Sequence, residues 1–471
     1  MAKQVPLSRR DFLISAGAGI AGMGLLGTLA KAAASAGPPA KRPPNIIVIL
    51  ADDLGYGDVG FNGCKDIPTP NIDALAAGGV RFSQGYVTAP LCSPTRCGLM
   101  LGRYQQRIGW EFNPNRGDPG LPVEEKIFAD YMKQAGYATA LVGKWHLGYA
   151  QPYLPLQRGF DEFYGFTYAM NPYLGVDGKP NMLWRGNEQV EEKEYLTDAF
   201  TREACEYIGR KKDKPFFLYL AYNAVHMPLD ACPRYKDKFS EIADPKRRAL
   251  ATMLAALDDG VGSVMKKLRD EKLDQDTLVF FFSDNGAPTA LNASSNAPFS
   301  GGKNTLMEGG IHMPWLMHWT GRLPAGKVVD QPVISLDILT TSLAAAGAKA
   351  PQGARLEGVD LLPYIDGKTS GAPHDCLYWR FGAQWAVRSG DFKLRVYEKD
   401  EAPKLFDLSK DVAEQNDLAA KHPDKVKQLT DAYNKWNASN KEAIYKTQKK
   451  PASQARQSRP ASAASQSLPA E

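Results

Sequence analysis

The sequence predicts an α/β fold: a large mixed or parallel sheet with helices on both faces, then a smaller antiparallel sheet with a helix. Three observations predict it. Four short apolar runs recur, NIIVIL (45–50), YATALVG (137–143), PFFLYLAY (215–222) and TLVFFFS (277–283), and each runs into a polar cluster. Continuous runs of this length suit strands buried on both faces, as in a parallel sheet. Amphipathic stretches separate them, and from about residue 376 the pattern changes to short alternating segments. The 471 residues, 44% of them hydrophobic, are ample for a large core.

The N-terminus carries a twin arginine, Arg9–Arg10, before Phe12 and Leu13. A Gly/Ala-rich run and the small-residue site Ala34–Ser35–Ala36 follow. Residues 1–36 resemble a bacterial twin-arginine export signal, which implies the twin-arginine translocation machinery as a partner and a periplasmic or secreted location. A membrane anchor fits less well, because Gly and Ala dominate the run and Lys31 interrupts its end. GPPAKRPP (37–44) reads as a proline-rich linker.

NIDALAAGGVRF (71–82), EEKIFADYMKQAG (124–136), residues 247–271 and LDILTTSLAAAG (336–347) read as helices. PAGKVVDQPV (324–333) reads as a Pro/Gly-rich connection. A main α/β domain is expected over 45–375. CLYWRFG, QWAVRSG, DFKLRVYE and KLFDLSKD then read as an antiparallel meander, followed by a helix at 422–439, in a C-terminal subdomain at 376–445. Residues 446–471, rich in Ala, Ser, Gln and Pro, are expected to be disordered.

The formal net charge of +5 belongs to the ends. Residues 1–36 carry a net +3 and residues 446–471 a net +4, so the body carries −2. No nucleic-acid partner follows from the charge. Cysteines stand at 64, 92, 97, 205, 232 and 376, without zinc-type spacing. Outside Cys92, buried thiols and structural disulfides both remain open.

In open α/β sheets ligands sit beyond the carboxyl ends of the strands, so the four polar clusters are expected to converge. Asp52 and Asp53 follow the first run, and Asp284 and Asn285 the fourth. Three carboxylates and an amide oxygen make a hard oxygen site suited to Ca²⁺ or Mg²⁺. Lys144 and His146 follow the second run and His226 the third. Lys303 lies in the glycine-rich FSGGKNTLMEGG, where backbone and anion can approach closely. His312 and His318 lie in an apolar run and read as core residues. His374 and His422 read as loop or surface residues.

The stretch APLCSPTRCGLMLGR places Cys92 at or just before a helix that Pro94 starts, with Arg96 one turn on. A helix N-terminus, an arginine, two lysines and two histidines around a divalent cation suit a tetrahedral oxyanion ester, sulfate or phosphate. A plain cysteine in that field is expected to be a low-pKa thiolate. Beside a hard cation an oxygen nucleophile fits better.

CSPTR with GR beyond it resembles the sulfatase signature C-x-P-x-R. TPNIDALAAGGVRF, ALVGKWHLG, SDNGA, GGKNTLMEGG and LFDLSKDVAEQNDLA resemble further sulfatase segments in the family's order, over about residues 44–440. The resemblance implies an alkaline-phosphatase-like fold. It implies oxidation of Cys92 to Cα-formylglycine by a maturation enzyme, and one Ca²⁺ held by Asp52, Asp53, Asp284, Asn285 and modified Cys92. In the family one hydroxyl of the aldehyde hydrate attacks sulfur. The resemblance gives Arg96 and Lys144 the role of steadying the hydrate. It has His226 and Lys303 bind the sulfate and assist the leaving alcohol, and has His146 take the proton that expels sulfate.

A phosphodiester or phosphonate ester hydrolase of the same superfamily, and a non-catalytic binder of sulfated glycans, are the alternatives. The substrate expected from export is a sulfated carbohydrate. Specificity is expected in the loops 102–117 and 167–186. There Trp110, Tyr173 and Trp184 are candidates to stack on sugar rings, and Arg116 or Arg185 to read a second anion.

Overall fold

The computed structural model describes residues 42–397 and 400–445. The expectations for residues 1–36 and 446–471 lie outside the described residues. The chain divides into two units, Met1–Pro43 and Pro44–Glu471.

The centre of the second unit is a ten-stranded sheet. In chain order the strands are β1 (Asn45–Ala51), β2 (Val80–Phe82), β3 (Ala138–Lys144), β4 (Glu162–Phe166), β5 (Asn181–Arg185), β6 (Glu188–Glu192), β7 (Phe216–Ala221), β8 (Thr277–Ser283), β9 (Trp315–His318) and β10 (Lys327–Val329). Their spatial order is β10-β2-β9-β8-β1-β7-β3-β4-β5-β6. The central strands β8, β1, β7, β3 and β4 run parallel. Antiparallel pairs flank them on both sides. The four apolar runs are thus immediate neighbours with their carboxyl ends on one edge. Strand spacing of about 4.8 Å sets their polar ends within about 15 Å of one another.

The central strands are buried on both faces, and the period of two sorts their side chains into two cores. Ile46, Val48, Leu50, Phe217, Tyr219, Phe280 and Phe282 belong to one. Ile47, Ile49, Leu218, Leu220, Val279 and Phe281 belong to the other. Among the described residues the longer helices are α1 (Pro70–Ala77), α2 (Cys92–Leu101), α3 (Phe128–Gln134), α4 (Leu196–Lys211), α5 (Pro245–Asp270), α6 (Asp337–Ala345) and α7 (Pro423–Asn437). α2, α3 and α6 contribute to the first core and α1, α4 and α5 to the second. α5 starts at Pro245, and the Asp244 carboxylate caps it by accepting from the Lys246 and Arg247 N–H groups.

A four-stranded antiparallel meander follows: β11 (Leu377–Phe381), β12 (Gln384–Ser389), β13 (Phe392–Val396) and β14 (Lys404–Asp407). It shares the first core through Trp379, Leu394 and Leu405, and α7 packs there through Tyr433 and Trp436. The Trp379 indole donates to the Val87 carbonyl at 2.7 Å. Among the described residues, no helix is long and apolar enough to cross a membrane. All six cysteines are free thiols.

The expected helix 71–82 ends at Ala77, and Val80–Phe82 is strand β2 instead. The break falls at Gly78–Gly79, where a Cβ on Gly79 would collide with the Met317 carbonyl oxygen of the adjoining β9. The 324–333 connection contains edge strand β10. The 167–186 loop contains β5, which pairs with β6 across a two-residue turn at Gly186–Asn187. A Gly-Asn pair flanked by alternating residues is a hairpin signal.

Candidate active site

Cys92 is the first residue of α2, preceded by extended Leu91, with Pro94 in the first turn. All ten residues of the helix are buried. Ser93 fixes its start: the Ser93 N–H donates to Asn113 Oδ1 at 3.1 Å, and the hydroxyl donates to the His146 carbonyl at 2.8 Å. The Trp110 indole donates to that same hydroxyl at 2.9 Å. Cys92 Sγ lies 3.4 Å from Asp52 Oδ1.

Three carboxylates and three cations interlock around it. Lys144 Nζ meets Asp52 Oδ2 at 2.5 Å. The Arg96 guanidinium holds Asp284 Oδ2 at 2.8 and 2.9 Å, reaches Asp52 at 3.5 Å, and donates to the Lys144 carbonyl at 3.1 Å. Lys303 Nζ spans both oxygens of Asp53 at 2.7 and 2.8 Å. Asp52, Asp53, Arg96, Lys144, His146, Asp284 and Asn285 are each at most 1% exposed. Asp53 and His146 both adopt left-handed backbone, φ 60° and 58°. For non-glycine residues this is uncommon, and it aims both side chains back into the site. Gly286 lets the Asp284–Asn285 turn approach the Lys303 loop, since a Cβ there would strike the Gly309 carbonyl oxygen.

Burial opposes ionisation of Asp52, but Lys144, His226, Arg96 and Lys303 hold its pKa well below the usual carboxylate range. Asp284 goes the other way. Burial and the Asp52 charge push it up to about 7, against the pull of Arg96 and Lys144. The low-pKa thiolate expected at Cys92 is not found. Burial raises the thiol, Asp52 beside it adds to the rise, and these outweigh Lys144 and Lys303. An unmodified Cys92 is therefore a poor nucleophile.

Burial, then Lys144 and Arg96, drive the His146 pKa well below its ordinary value, and neither ring nitrogen has a hydrogen-bond partner. Burial also lowers His226, although Asp52 and Asp53 pull upward. His226 Nδ1 lies 2.6 Å from the Met227 carbonyl, which only accepts, so this nitrogen carries the proton. The lone pair of Nε2 then faces Asp53 Oδ2 at 3.6 Å.

That juxtaposition of acceptors suits a cation. Single ligand atoms of Asp52, Asp53, Cys92 and His226 all lie within 4.8 Å of one another. The buried Asn285 Oδ1 lacks a partner, while its Nδ2 donates to Asp53 Oδ1 at 2.6 Å. Asp284 Oδ1 accepts the Asp53 N–H at 3.3 Å. Oxygen donors in this number fit a hard divalent ion. The structure thus brings Asp52, Asp53, Cys92, Arg96, Lys144, His146, His226, Asp284, Asn285 and Lys303 into one cluster.

Three loop candidates fall elsewhere. Trp110 and Tyr173 are fully buried. Tyr173 donates to the Asn223 carbonyl at 2.6 Å and lies 2.9 Å from the His226 carbonyl, so it braces the His226 turn. Arg185 is bound to Glu203. Sequence reasoning missed Asn113, Ser93 and Gln384, whose partners are set by the folded chain. Gln384 grips the Lys303 loop by accepting the Leu306 N–H and donating to the Asn304 carbonyl.

Known proteins share this architecture. The sulfatase family model matches residues 44–348, and a model described as N-sulphoglucosamine sulphohydrolase, C-terminal, matches residues 302–439. N-acetylgalactosamine-6-sulfatase of Canis lupus familiaris is 36% identical over 392 residues, 77% of this chain and 73% of that protein. Human arylsulfatase A is 34% identical over 448 residues, 82% and 85% of the two chains. The crystal structure of Ps i-CgsB in complex with k-i-k-neocarrahexaose superposes with a TM-score of 0.82 at 35% identity, covering 86% of this chain and 95% of that one. With its fold, its ordered motifs and the clustered residues all in agreement, the chain belongs to the sulfatase family, and the enzyme is a sulfuric ester hydrolase.

Proposed function

We propose that this is an exported sulfatase that cleaves a sulfate ester of a sulfated carbohydrate, using Cys92 oxidised to Cα-formylglycine and one bound Ca²⁺. The observation that carries the reading is the placement of Cys92. It starts a buried helix, 3.4 Å from a carboxylate, amid three cations and two neutral histidines. Its raised pKa makes the thiol itself a poor reagent.

Asp52, Asp53, Asp284 and Asn285 would hold the calcium ion, with residue 92 completing the set. The ion would supply Lewis-acid stabilisation of charge on oxygen. The aldehyde hydrate at residue 92, made by a formylglycine-generating maturation enzyme, would supply the oxygen nucleophile. The chain's own groups do the rest. Arg96 and Lys144 lock Asp52 and Asp284 in place and balance their charge. Lys303 and His226 flank Asp53: Lys303 presents a cation to the sulfate, and His226, which donates from Nδ1 to the Met227 carbonyl, would have to take up a proton at Nε2 before passing one to the departing alcohol. His146, neutral and with both ring nitrogens unbonded, takes up a proton at residue 92. The carbohydrate assignment rests on the relatives, which include a 6-sulfatase named for a sugar and a structure holding a neocarrahexaose. The twin-arginine motif Arg9–Arg10 supports export.

The test is the mass of the tryptic peptide FSQGYVTAPLCSPTR (82–96) from protein made in its own host, with rates on an aryl sulfate and an aryl phosphodiester. An aldehyde mass and a dominant sulfatase rate are expected. A thiol mass with full turnover, or a dominant phosphodiesterase rate, overturns the reading.

A further inference from the structure

Arg116, Tyr168 and Tyr149 form a three-layer stack on loops that lead away from residues of the catalytic cluster. The Arg116 guanidinium lies 5.3 Å from the centroid of the Tyr168 ring. Tyr168 stacks on Tyr149, with centroids 5.3 Å apart and ring planes 18° apart. The Tyr149 hydroxyl donates to the Pro114 carbonyl at 2.8 Å, which ties the bottom of the stack to the loop carrying Arg116. The two tyrosines are half-buried and Arg116 is exposed.

The two tyrosine layers start from the carboxyl edge of the sheet. Tyr149 is three residues beyond His146, and Tyr168 is two beyond the end of β4. Arg116 is three residues beyond Asn113, whose side chain accepts the Ser93 N–H next to Cys92. Three residues of chain span at most about 11 Å, so the Arg116 backbone lies within that distance of Asn113, the residue that holds the start of the Cys92 helix.

A guanidinium lying over a ring keeps its in-plane N–H donors directed outward, in the fork that matches a carboxylate or a sulfate. The acid of the same turn, Asp118, is engaged by the Asn115 backbone and side chain at 2.6 and 3.0 Å. Arg185 contrasts with this. It also lies over a ring, that of Tyr164, but spends its fork on Glu203 at 2.5 and 2.8 Å. The exposed edges of the tyrosine pair offer the apolar surface on which a sugar ring packs.

We propose that Arg116, stacked on Tyr168 and Tyr149, is a subsite for an anionic group, sulfate or carboxylate, on the sugar next to the one bearing the scissile sulfate. The proposal rests on the carbohydrate reading. It adds that the substrate is an oligosaccharide with negative charge on consecutive units.

The test is titration calorimetry with three disaccharides that carry the same sulfated sugar and differ in the neighbour: neutral, sulfated or carboxylated. The wild type is expected to bind at least one anionic-neighbour compound about tenfold or more tighter than the neutral one, and the two arms identify the anion. Arg116→Ala is expected to erase that ratio, Arg116→Lys to keep part of it, and Tyr168→Ala to weaken it. Equal affinities in the wild type, or equal losses on all three compounds in Arg116→Ala, overturn the subsite. Aryl-sulfate turnover by the wild type tests the catalytic reading separately. Turnover with no binding of any disaccharide sinks the subsite and leaves the sulfatase standing.

Discussion

Gln384 holds the carbonyl of Asn304, the residue after Lys303, at 3.1 Å, and accepts the Leu306 N–H at 3.3 Å with the same side chain. A residue at the start of β12 thereby fixes the backbone from which Lys303 reaches Asp53. Gln384→Leu is expected to lower kcat/KM by about tenfold, mostly through KM, because two hydrogen bonds to the loop are lost. Gln384→Glu, which keeps the acceptor and loses the donor, should fall between. Steady-state kinetics on an aryl sulfate checks it, and an unchanged kcat/KM in Gln384→Leu would refute the clamp.

Calcium is expected to stabilise the fold. Chelator-treated protein should unfold at higher temperature when Ca²⁺ is restored, by about 2.7 kcal/mol at a hundredfold excess over Kd. Asp53→Asn should abolish this increment. Thermal melts with and without Ca²⁺ measure both.

Lys393, in β13, is fully buried and pairs with Glu308 at 2.7 Å and Glu414 at 3.3 Å. Glu308 also accepts from the Tyr86 hydroxyl at 2.6 Å, and Glu414 accepts the Glu308 N–H at 2.7 Å. Lys393→Met removes the cation the two carboxylates share, but Glu414 keeps Arg395 at 3.1 Å and Glu308 keeps His312 at 2.9 Å, so the expected cost is about 1.5–3 kcal/mol in denaturant unfolding. A loss below about 1 kcal/mol would show that the pair tolerates separation.

His374 gives a pH dependence through a residue outside the catalytic cluster. Burial lowers its pKa, but the Asp337 carboxylate at 2.8 Å outweighs burial and raises it above 6.5. The folded state therefore binds the proton more tightly than the unfolded state. The contribution is complete below pH 6.5 and fades as pH rises through the raised folded value. His374→Gln should destabilise the protein at pH 5.5 and do so less at pH 9. Equal shifts in the denaturation midpoint at both values would exclude the pair as the cause.

Much of the centre of this molecule is legible in its sequence. The four apolar runs form four adjacent parallel strands because β-branched and aromatic side chains without polar interruption tolerate burial on both faces. The polar residues at their ends, Asp52, Lys144, His226 and Asp284 among them, lie together because parallel strands share a carboxyl edge. What stays hidden depends on contacts between residues 17 to 80 positions apart that no local pattern announces. Nothing near Gln384 says that it meets Asn304, and nothing near Trp110 says that its indole meets Ser93 rather than a sugar. The Cys92 thiol departs from expectation because a helix N-terminus and an arginine are visible in sequence, while complete burial beside Asp52 is not. Residues 167–186 read as a loop, although the Gly186–Asn187 pair between alternating residues already signals the hairpin.

Cys92 is 1% exposed in the folded protein, and the loop that completes its surroundings is held by Gln384 and Glu414. A ribosome delivers residue 92 about 320 residues before residue 414. At ordinary elongation speeds that interval lasts roughly 15–60 s. Under the proposed maturation, an oxidising enzyme reaches residue 92 during that interval and until the chain folds around it, while the lock is not yet formed. Timing before folding, rather than access to the finished protein, then decides what fraction of molecules carries a working nucleophile.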